Sequence, residues 1–164
     1  MASIHLLLGT NLGDRFKNID LAHTFLEEKI GMTVKASRIY RSVPWGFQAE
    51  QDFLNQVVCI ETVLEPIAVM HEILLFEEQH GRIREQKGGV KIYHSRTIDI
   101  DILLWGNRIL NTEFLVVPHP RLTERRFVLL PLAEVSPAEI HPVLNLTMRE
   151  LCYTCTDESR VEPV

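Results

Sequence analysis

A chain of 164 residues, 46% hydrophobic and 24% charged, has the length and balance of one soluble globular domain with a core of its own. A formal net charge of −5 excludes a surface that is basic throughout, so any phosphate site must be a local patch on an acidic body. No apolar run approaches a membrane span, and the short apolar start has no basic region before it, so it reads as a strand rather than an export signal.

Residues 3–8 read as a short buried strand, and Gly9-Thr10-Asn11-Leu12-Gly13 as a turn-rich loop. Asp14 can cap a helix whose apolar positions Ile19, Ala22, Phe25, Leu26 and Ile30 recur at helical spacing, with Gly31 as its stop. Residues 32–42, rich in β-branched and aromatic types, read as one strand. Residues 42–48 form a loop with exposed aromatics, and residues 53–63 a further strand. Pro66 opens a helix that runs to about Gln79, with Ile67, Met70, Ile73 and Leu74 facing inward and Gly81 closing it. Residues 82–96 resist regular assignment. A strand over 97–104 follows, then a Gly106-Asn107 turn and a short return strand at 108–110. Pro118-His119-Pro120 breaks the chain, and short helices occupy 121–127, 129–134 and 147–155. The order β-α-β-β-α-β predicts a ferredoxin-like α+β sandwich with C-terminal additions, as a single domain over 1–164.

Of three cysteines, Cys59 sits in an apolar run as a core residue. Cys152 and Cys155 form a C-x-x-C that lacks both a second ligand pair and a thioredoxin-like setting. An odd count without an export signal fits a reducing cytoplasm.

The chemistry concentrates in Arg96-Thr97-Ile98-Asp99-Ile100-Asp101-Ile102-Leu103-Leu104. Side chains alternate along a strand, so Ile98, Ile100 and Ile102 share one face, and Thr97, Asp99 and Asp101 the other. Two carboxylates roughly 7 Å apart repel each other, and more so when partly buried. A divalent cation removes that repulsion, and Mg²⁺ suits a site of few carboxylates because substrate phosphates complete its shell. The alternative is a solvated face of a half-buried antiparallel strand. Arg82, Arg84 and Arg96, with Lys87 and Lys91, surround Gly88-Gly89 just before the pair. Arginine forks match phosphate oxygens, and basic groups beside a carboxylate–metal site are what phosphoryl transfer needs. The alternative for this loop is a solvated segment whose arginines serve solubility. Neither G-x-x-x-x-G-K-[ST] nor G-x-G-x-x-G occurs, which excludes those phosphate cradles.

Phe53 and Asn55 share a strand face, where a ring to stack on and an amide edge could read a flat heterocycle; a core Phe with a turn-stabilising Asn is the other reading. His119, stiffened by its two prolines, is followed by Arg121, Arg125, Arg126 and Phe127, either as a phosphate contact or as a rigid loop with a basic helix surface.

These pieces in this order resemble the 6-hydroxymethyl-7,8-dihydropterin pyrophosphokinase family. The resemblance rests on Gly9-Thr10-Asn11-Leu12-Gly13, Tyr40-Arg41-Ser42-Val43-Pro44-Trp45-Gly46, Phe53-Leu54-Asn55, Gly81-Arg82-Ile83-Arg84, Arg96-Thr97-Ile98-Asp99-Ile100-Asp101 and Val117-Pro118-His119-Pro120-Arg121-Leu122, with Glu124-Arg125 and Phe127-Val128-Leu129. It implies transfer of the pyrophosphoryl group of ATP to the pterin hydroxymethyl group, with release of AMP, in folate biosynthesis. By resemblance, Asp99 and Asp101 would hold two Mg²⁺ ions, with ATP as co-substrate. Phe53 and Phe127 would sandwich the reduced pterin, Asn55 would bond its edge, and Ser42, Val43, Pro44 and Trp45 would meet it. Arg82, Arg96 and His119 would bind ATP phosphates, with Arg84 and Arg125 assisting, and Arg82 and Arg96 would count with the Asp pair as catalytic. Glu77 and Ile102 would lie near the adenosine. Loops 9–13, 43–52 and 82–96 would close over the substrates. The chain departs from the family pattern at Tyr93, where many members have Trp, at His94, where Gly is usual, and at residues 85–92, which are longer. Pro120 replaces an aromatic found in some members.

A regulatory nucleotide-sensing module would not need the paired carboxylates, and a single-strand nucleic-acid binder would not place them on its sheet. The partners expected are therefore ATP and a reduced pterin, with no nucleic acid and no membrane, and the chain is expected to act as a monomer.

Overall fold

The computed structural model describes residues 1–44, 47–81 and 97–164 in full, and residues 86–87 and 90–91 by backbone alone. Strand β1 (Ala2–Thr10) leads into helix α1 (Arg15–Lys29), β2 (Met32–Ala36), β3 (Tyr40–Ser42) and β4 (Phe53–Thr62). Helix α2 (Pro66–Gln79) follows, then the two-residue strands β5 (Gln86–Lys87) and β6 (Val90–Lys91), then β7 (Asp99–Trp105). The C-terminal part holds β8 (Leu110–Asn111), β9 (Val116–Val117), helix α3 (Arg126–Val135), helix α4 (Met148–Thr154) and β10 (Val161–Pro163).

The main sheet runs β10-β3-β4-β1-β7, with β2 also on β4, and its described pairings are antiparallel. This is the mixed α+β sandwich the sequence predicts. Helices α1 and α2 cover one face through Ile19, Ala22, Leu26, Val69, Ile73 and Phe76, packed on Ile4, Leu6, Leu8, Ile98, Ile100 and Ile102. Phe25 and Phe76 stack there at 4.2 Å. Helices α3 and α4 cover the other face, on Leu7, Val57, Cys59, Leu103 and Leu104. The C-terminal additions thus close a second core, and β1 is buried on both faces along most of its length.

Asp14 caps α1 as expected, accepting the Lys17 N–H at 3.1 Å. At Gly31 the chain passes so close to β4 that a Cβ would stand 2.2 Å from the Glu61 carbonyl oxygen, which excludes any side chain there.

Several elements differ from the sequence reading. The strand expected over 32–42 is two strands, because Ser37 interrupts the ladder: its Oγ accepts the Val57 N–H at 3.0 Å and its carbonyl takes Gln56 Nε2 at 2.8 Å. Ile67 is 61% exposed rather than inward; it lies two residues from buried Val69, about 200° around the helix. Met70 and Leu74 are half-buried, while Val69, Ile73, Phe76 and Glu77 form the inner face. The stretch 82–96 holds a short ladder, Gln86 opposite Lys91 and Lys87 opposite Val90. The return strand begins at Leu110 and pairs with β9. The helices expected at 121–127 and 129–134 are a 3-10 turn at Leu122–Glu124 and one helix, α3, which runs through Pro131. Strand β10 carries too few residues to stand out in the sequence.

Ile98, just before β7, and Ile100 and Ile102 within it lie on the α1/α2 face, as the alternation requires. A register shift opposite His5 and Leu6 then inserts one residue, which sends Leu103 and Leu104 to the second core and returns Trp105 to the first.

His5 is buried, with Nε2 2.8 Å from Ser136 Oγ. Burial, and then the charge of Lys35, lower its pKa from 6.5 to about 4. The unfolded chain therefore takes up this proton before the folded one does. The group costs the fold nothing above pH 6.5; stability falls as pH drops towards 4, where the loss reaches roughly 3 kcal/mol. Urea midpoints should fall over this window and fall less for His5→Leu; equal slopes for the two proteins would remove the role of His5.

Candidate active site

The pairing register builds the site. Gly9 lies opposite Asn55 on β4 and opposite Asp99 on β7, and Asn55 lies opposite Tyr40 on β3. Directly opposed residues put side chains on the same face. A single row therefore runs Asp99, Gly9, Asn55, Tyr40 across four strands, on the face that α3 covers farther along. Asp101 stands opposite Leu7 one step along that face, and Phe53 opposite Ser42 at its other end.

Gly9 leaves a bare floor between the carboxylates and the Phe53–Asn55 wall. A Cβ on it would stand 3.8 Å from Asn55 Oδ1 and 3.9 Å from the Phe53 ring, so even alanine would begin to fill the strip. Asn55 is buried, and its Nδ2 donates to Ser42 Oγ at 2.7 Å and to the Tyr40 carbonyl at 3.4 Å. The amide is held by its donor end, and its carbonyl oxygen faces the floor. Ser42 is buried, Pro44 half-buried, Val43 exposed, and the Phe47 ring meets Phe53 edge-on at 6.0 Å. Trp45 lies outside the described residues.

Asp99 is 8% exposed and Asp101 half-buried, so the pair sits where its charges are costly. Among the described residues no group of three or more His, Cys, Asp or Glu side chains is arranged to hold a metal. A carboxylate pair alone fits Mg²⁺, which keeps waters and takes substrate phosphates as its remaining ligands.

Polar groups anchor this end of the sheet. Asn18, on the inner face of α1, donates through Nδ2 to Thr10 Oγ at 3.1 Å, to the Leu12 carbonyl at 2.8 Å and to the Thr97 carbonyl at 3.0 Å. The Thr10 hydroxyl also bonds the Thr97 carbonyl. These bonds tie the 9–13 loop to the residue two places before Asp99. Asn18 is not among the residues expected from the sequence; its one signal there is an amide among apolar positions at helical spacing. Arg15 Nη1 bonds the Asp52 carbonyl at 2.8 Å and so holds the end of the 43–52 loop to α1.

Glu77 is 1% exposed, and its Oε1 accepts the Ile100 N–H at 2.9 Å on the outer edge of β7. The Ile102 side chain is in the first core, on the opposite face from the carboxylates; two residues on from Ile100, its backbone points to the same outer edge. His119 donates its backbone N–H to the Leu103 carbonyl at 2.9 Å, and its Nδ1 accepts the Arg121 N–H at 3.1 Å, which leaves the proton of the neutral ring on Nε2. Arg125 is buried at the start of α3, with its guanidinium 5.7 Å from the Phe127 ring centre. Phe127 packs against the second core, on the same side of the sheet as Phe53. Arg82, Arg84 and Arg96, with Tyr93 and His94, lie outside the described residues.

An acidic pair beside a bare glycine floor, at the end of an antiparallel α+β sandwich, is compatible with the transferases of phosphoryl or pyrophosphoryl groups, and the similar proteins carry that class. The family model for 7,8-dihydro-6-hydroxymethylpterin-pyrophosphokinase matches residues 5–137. The 2-amino-4-hydroxy-6-hydroxymethyldihydropteridine pyrophosphokinase of Porphyromonas gingivalis is 40% identical over 144 residues, 87% of this chain and 95% of that protein. Its namesake in Bacillus subtilis is 41% identical over 132 residues, 80% of this chain and 76% of that protein. In fold, a crystal structure of HPPK-DHPS in complex with substrates covers 93% of this chain and 43% of that one, with a TM-score of 0.74 and 15% identity. The chain belongs to the 7,8-dihydro-6-hydroxymethylpterin pyrophosphokinase family. Its activity is the transfer of pyrophosphate from ATP to 6-hydroxymethyl-7,8-dihydropterin in folate biosynthesis, and enzymes of this family use ATP with Mg²⁺. Among the described residues no helix is long and apolar enough to cross a membrane.

Proposed function

We propose that Asp99 and Asp101 hold two Mg²⁺ ions, and that the bare floor at Gly9 is where the pterin meets ATP. The observation that carries this is the row Asp99–Gly9–Asn55, which sets a carboxylate and an amide on either side of a residue with no side chain. Bound there, Mg²⁺ would neutralise phosphate charge that grows as the pyrophosphoryl group moves. The chain's own groups do the rest by positioning. Phe53 and Phe127 stack on the two faces of the pterin ring. Asn55 Oδ1 accepts from a ring-edge N–H, because its Nδ2 is already committed to Ser42 and Tyr40. Backbone groups of Ser42, Val43, Pro44 and Trp45 complete that wall.

Arg82, Arg96 and His119 bind ATP phosphates, with Arg84 and Arg125 assisting. Glu77 and the Ile102 backbone flank the adenosine at the outer edge of β7. The pterin hydroxyl oxygen bonds to the β-phosphorus of ATP and its proton is released to solvent with the products; the bond from the β-phosphorus to the α-phosphate oxygen breaks, and AMP leaves with that electron pair. Closure of loops 9–13, 43–52 and 82–96 excludes water, which would otherwise compete as acceptor. We read the 164 residues as acting as a single domain and a monomer in the cytoplasm; the three free thiols agree with a reducing compartment.

AMP should form only with ATP, the reduced pterin and Mg²⁺ together, and stop on chelation. Its rate should keep rising with free Mg²⁺ after ATP is saturated with one ion. A rate that levels off at that point would remove the second ion, and no AMP from protein with bound pterin would remove the whole assignment.

A further inference from the structure

Helix α3 begins with a defect. Its N-cap residue is Arg125, which makes no side-chain cap bond, although helices favour Asp, Asn, Ser or Thr there to accept an orphan N–H. The acceptor comes from far along the chain. Asp157 Oδ2 takes the Arg126 N–H at 2.9 Å, and Asp157 Oδ1 takes the Ser159 N–H at 2.9 Å, which holds the carboxylate in place. Asp157 follows α4, beyond the residues that the family model matches.

The same tail then reaches the Phe53–Asn55 wall beside Gly9, one wall of the pterin slot. Val161 of β10 pairs with Ser42, whose Oγ accepts from Asn55. Phe127 is the residue directly after the capped Arg126, and Pro131 has no N–H to give the Phe127 carbonyl. The first turn of α3 therefore lacks both its own cap and one internal bond, and the Asp157 tie matters more there than on a regular helix.

We propose that Asp157 is a positioning residue for the pterin: its carboxylate acts as the missing N-cap of α3 and sets the Phe127 ring over the slot. The inference rests on the reading that Phe127 stacks on the pterin. The carboxyl supports it: burial alone would raise its pKa, yet the hydrogen bonds from Ser159 and from the Arg126 N–H hold it below the ordinary value, as an engaged acceptor requires.

Steady-state kinetics on Asp157→Ala, Asp157→Asn and Phe127→Ala test this. Asp157→Ala should raise the pterin KM about fivefold, the usual worth of a helix cap, with kcat and the ATP KM unchanged. Asp157→Asn keeps a side-chain oxygen and should stay within about twofold of the parent. An unchanged pterin KM in Asp157→Ala, beside a raised one in Phe127→Ala, would overturn the positioning role alone. An unchanged pterin KM in Phe127→Ala would overturn the stacking reading and this inference with it. Pterin and ATP KM rising together would mark a merely structural role and also overturn it. If Asp157→Ala does not fold, Asp157→Glu keeps the charge and displaces the oxygen by one methylene; a selective rise in pterin KM supports the role, and parental kinetics overturn it.

Discussion

Asp99→Ala and Asp101→Ala should each lower the rate of AMP formation by roughly a thousandfold or more, the effect of several kcal/mol of lost charge stabilisation. The fold should survive, because both carboxylates lie on the face of β7 away from the first core. Ile98, Ile100 and Ile102, which anchor β7 in the first core, are untouched. Each variant should therefore remain folded, with the far-UV circular dichroism spectrum of the parent, while turnover disappears. Asn at either position keeps the shape and loses the charge, so Asp99→Asn should be nearly as inactive as alanine. A double alanine variant with near-normal turnover would take the metal away from this pair.

Phe53→Ala should weaken pterin binding by about 5- to 150-fold, the range of one lost ring-stacking contact worth roughly 1–3 kcal/mol. The ATP KM should hardly change, since Phe53 lies on β4 across Gly9 from the carboxylates. Titration of the pterin in the presence of a non-hydrolysable ATP analogue reads this directly. Equal weakening of both substrates would mean that Phe53 supports the sheet end rather than the ring. Some of that support is real: Phe53 meets Phe47 and leans over Gly9.

Much of the fold and of the acidic site is legible in the amino-acid order. The isoleucines of β7 fall in the first core as their spacing requires, and Asp99 and Asp101 fall on the other face. The Asp14 cap, the run of α1 and the start of α2 at Pro66 follow from residue chemistry within a few positions. Less legible are features that depend on distant partners. Ser37 breaks a strand only because Val57 and Gln56 are there to bond it. Ile67 has the spacing of an inward position, but the phase of α2 is set by Phe76 stacking on Phe25. Pro131 has the chemistry of a helix break, yet α3 runs through it, packed on the sheet by Val128, Leu129 and Leu132.

The alternation along the strands, the helix starts, the excess of charge on one strand and the motifs that mark the family are all local properties, written in spacings of two to four residues. They follow from the amino-acid order alone. Packing of the whole chain was needed to place Gly9 between Asn55 and Asp99, to let Asn18 tie two loops together, and to bring Asp157 to the start of a helix begun 31 residues earlier. Register and remote hydrogen bonds arise when all the elements pack at once, and no window of sequence contains both partners.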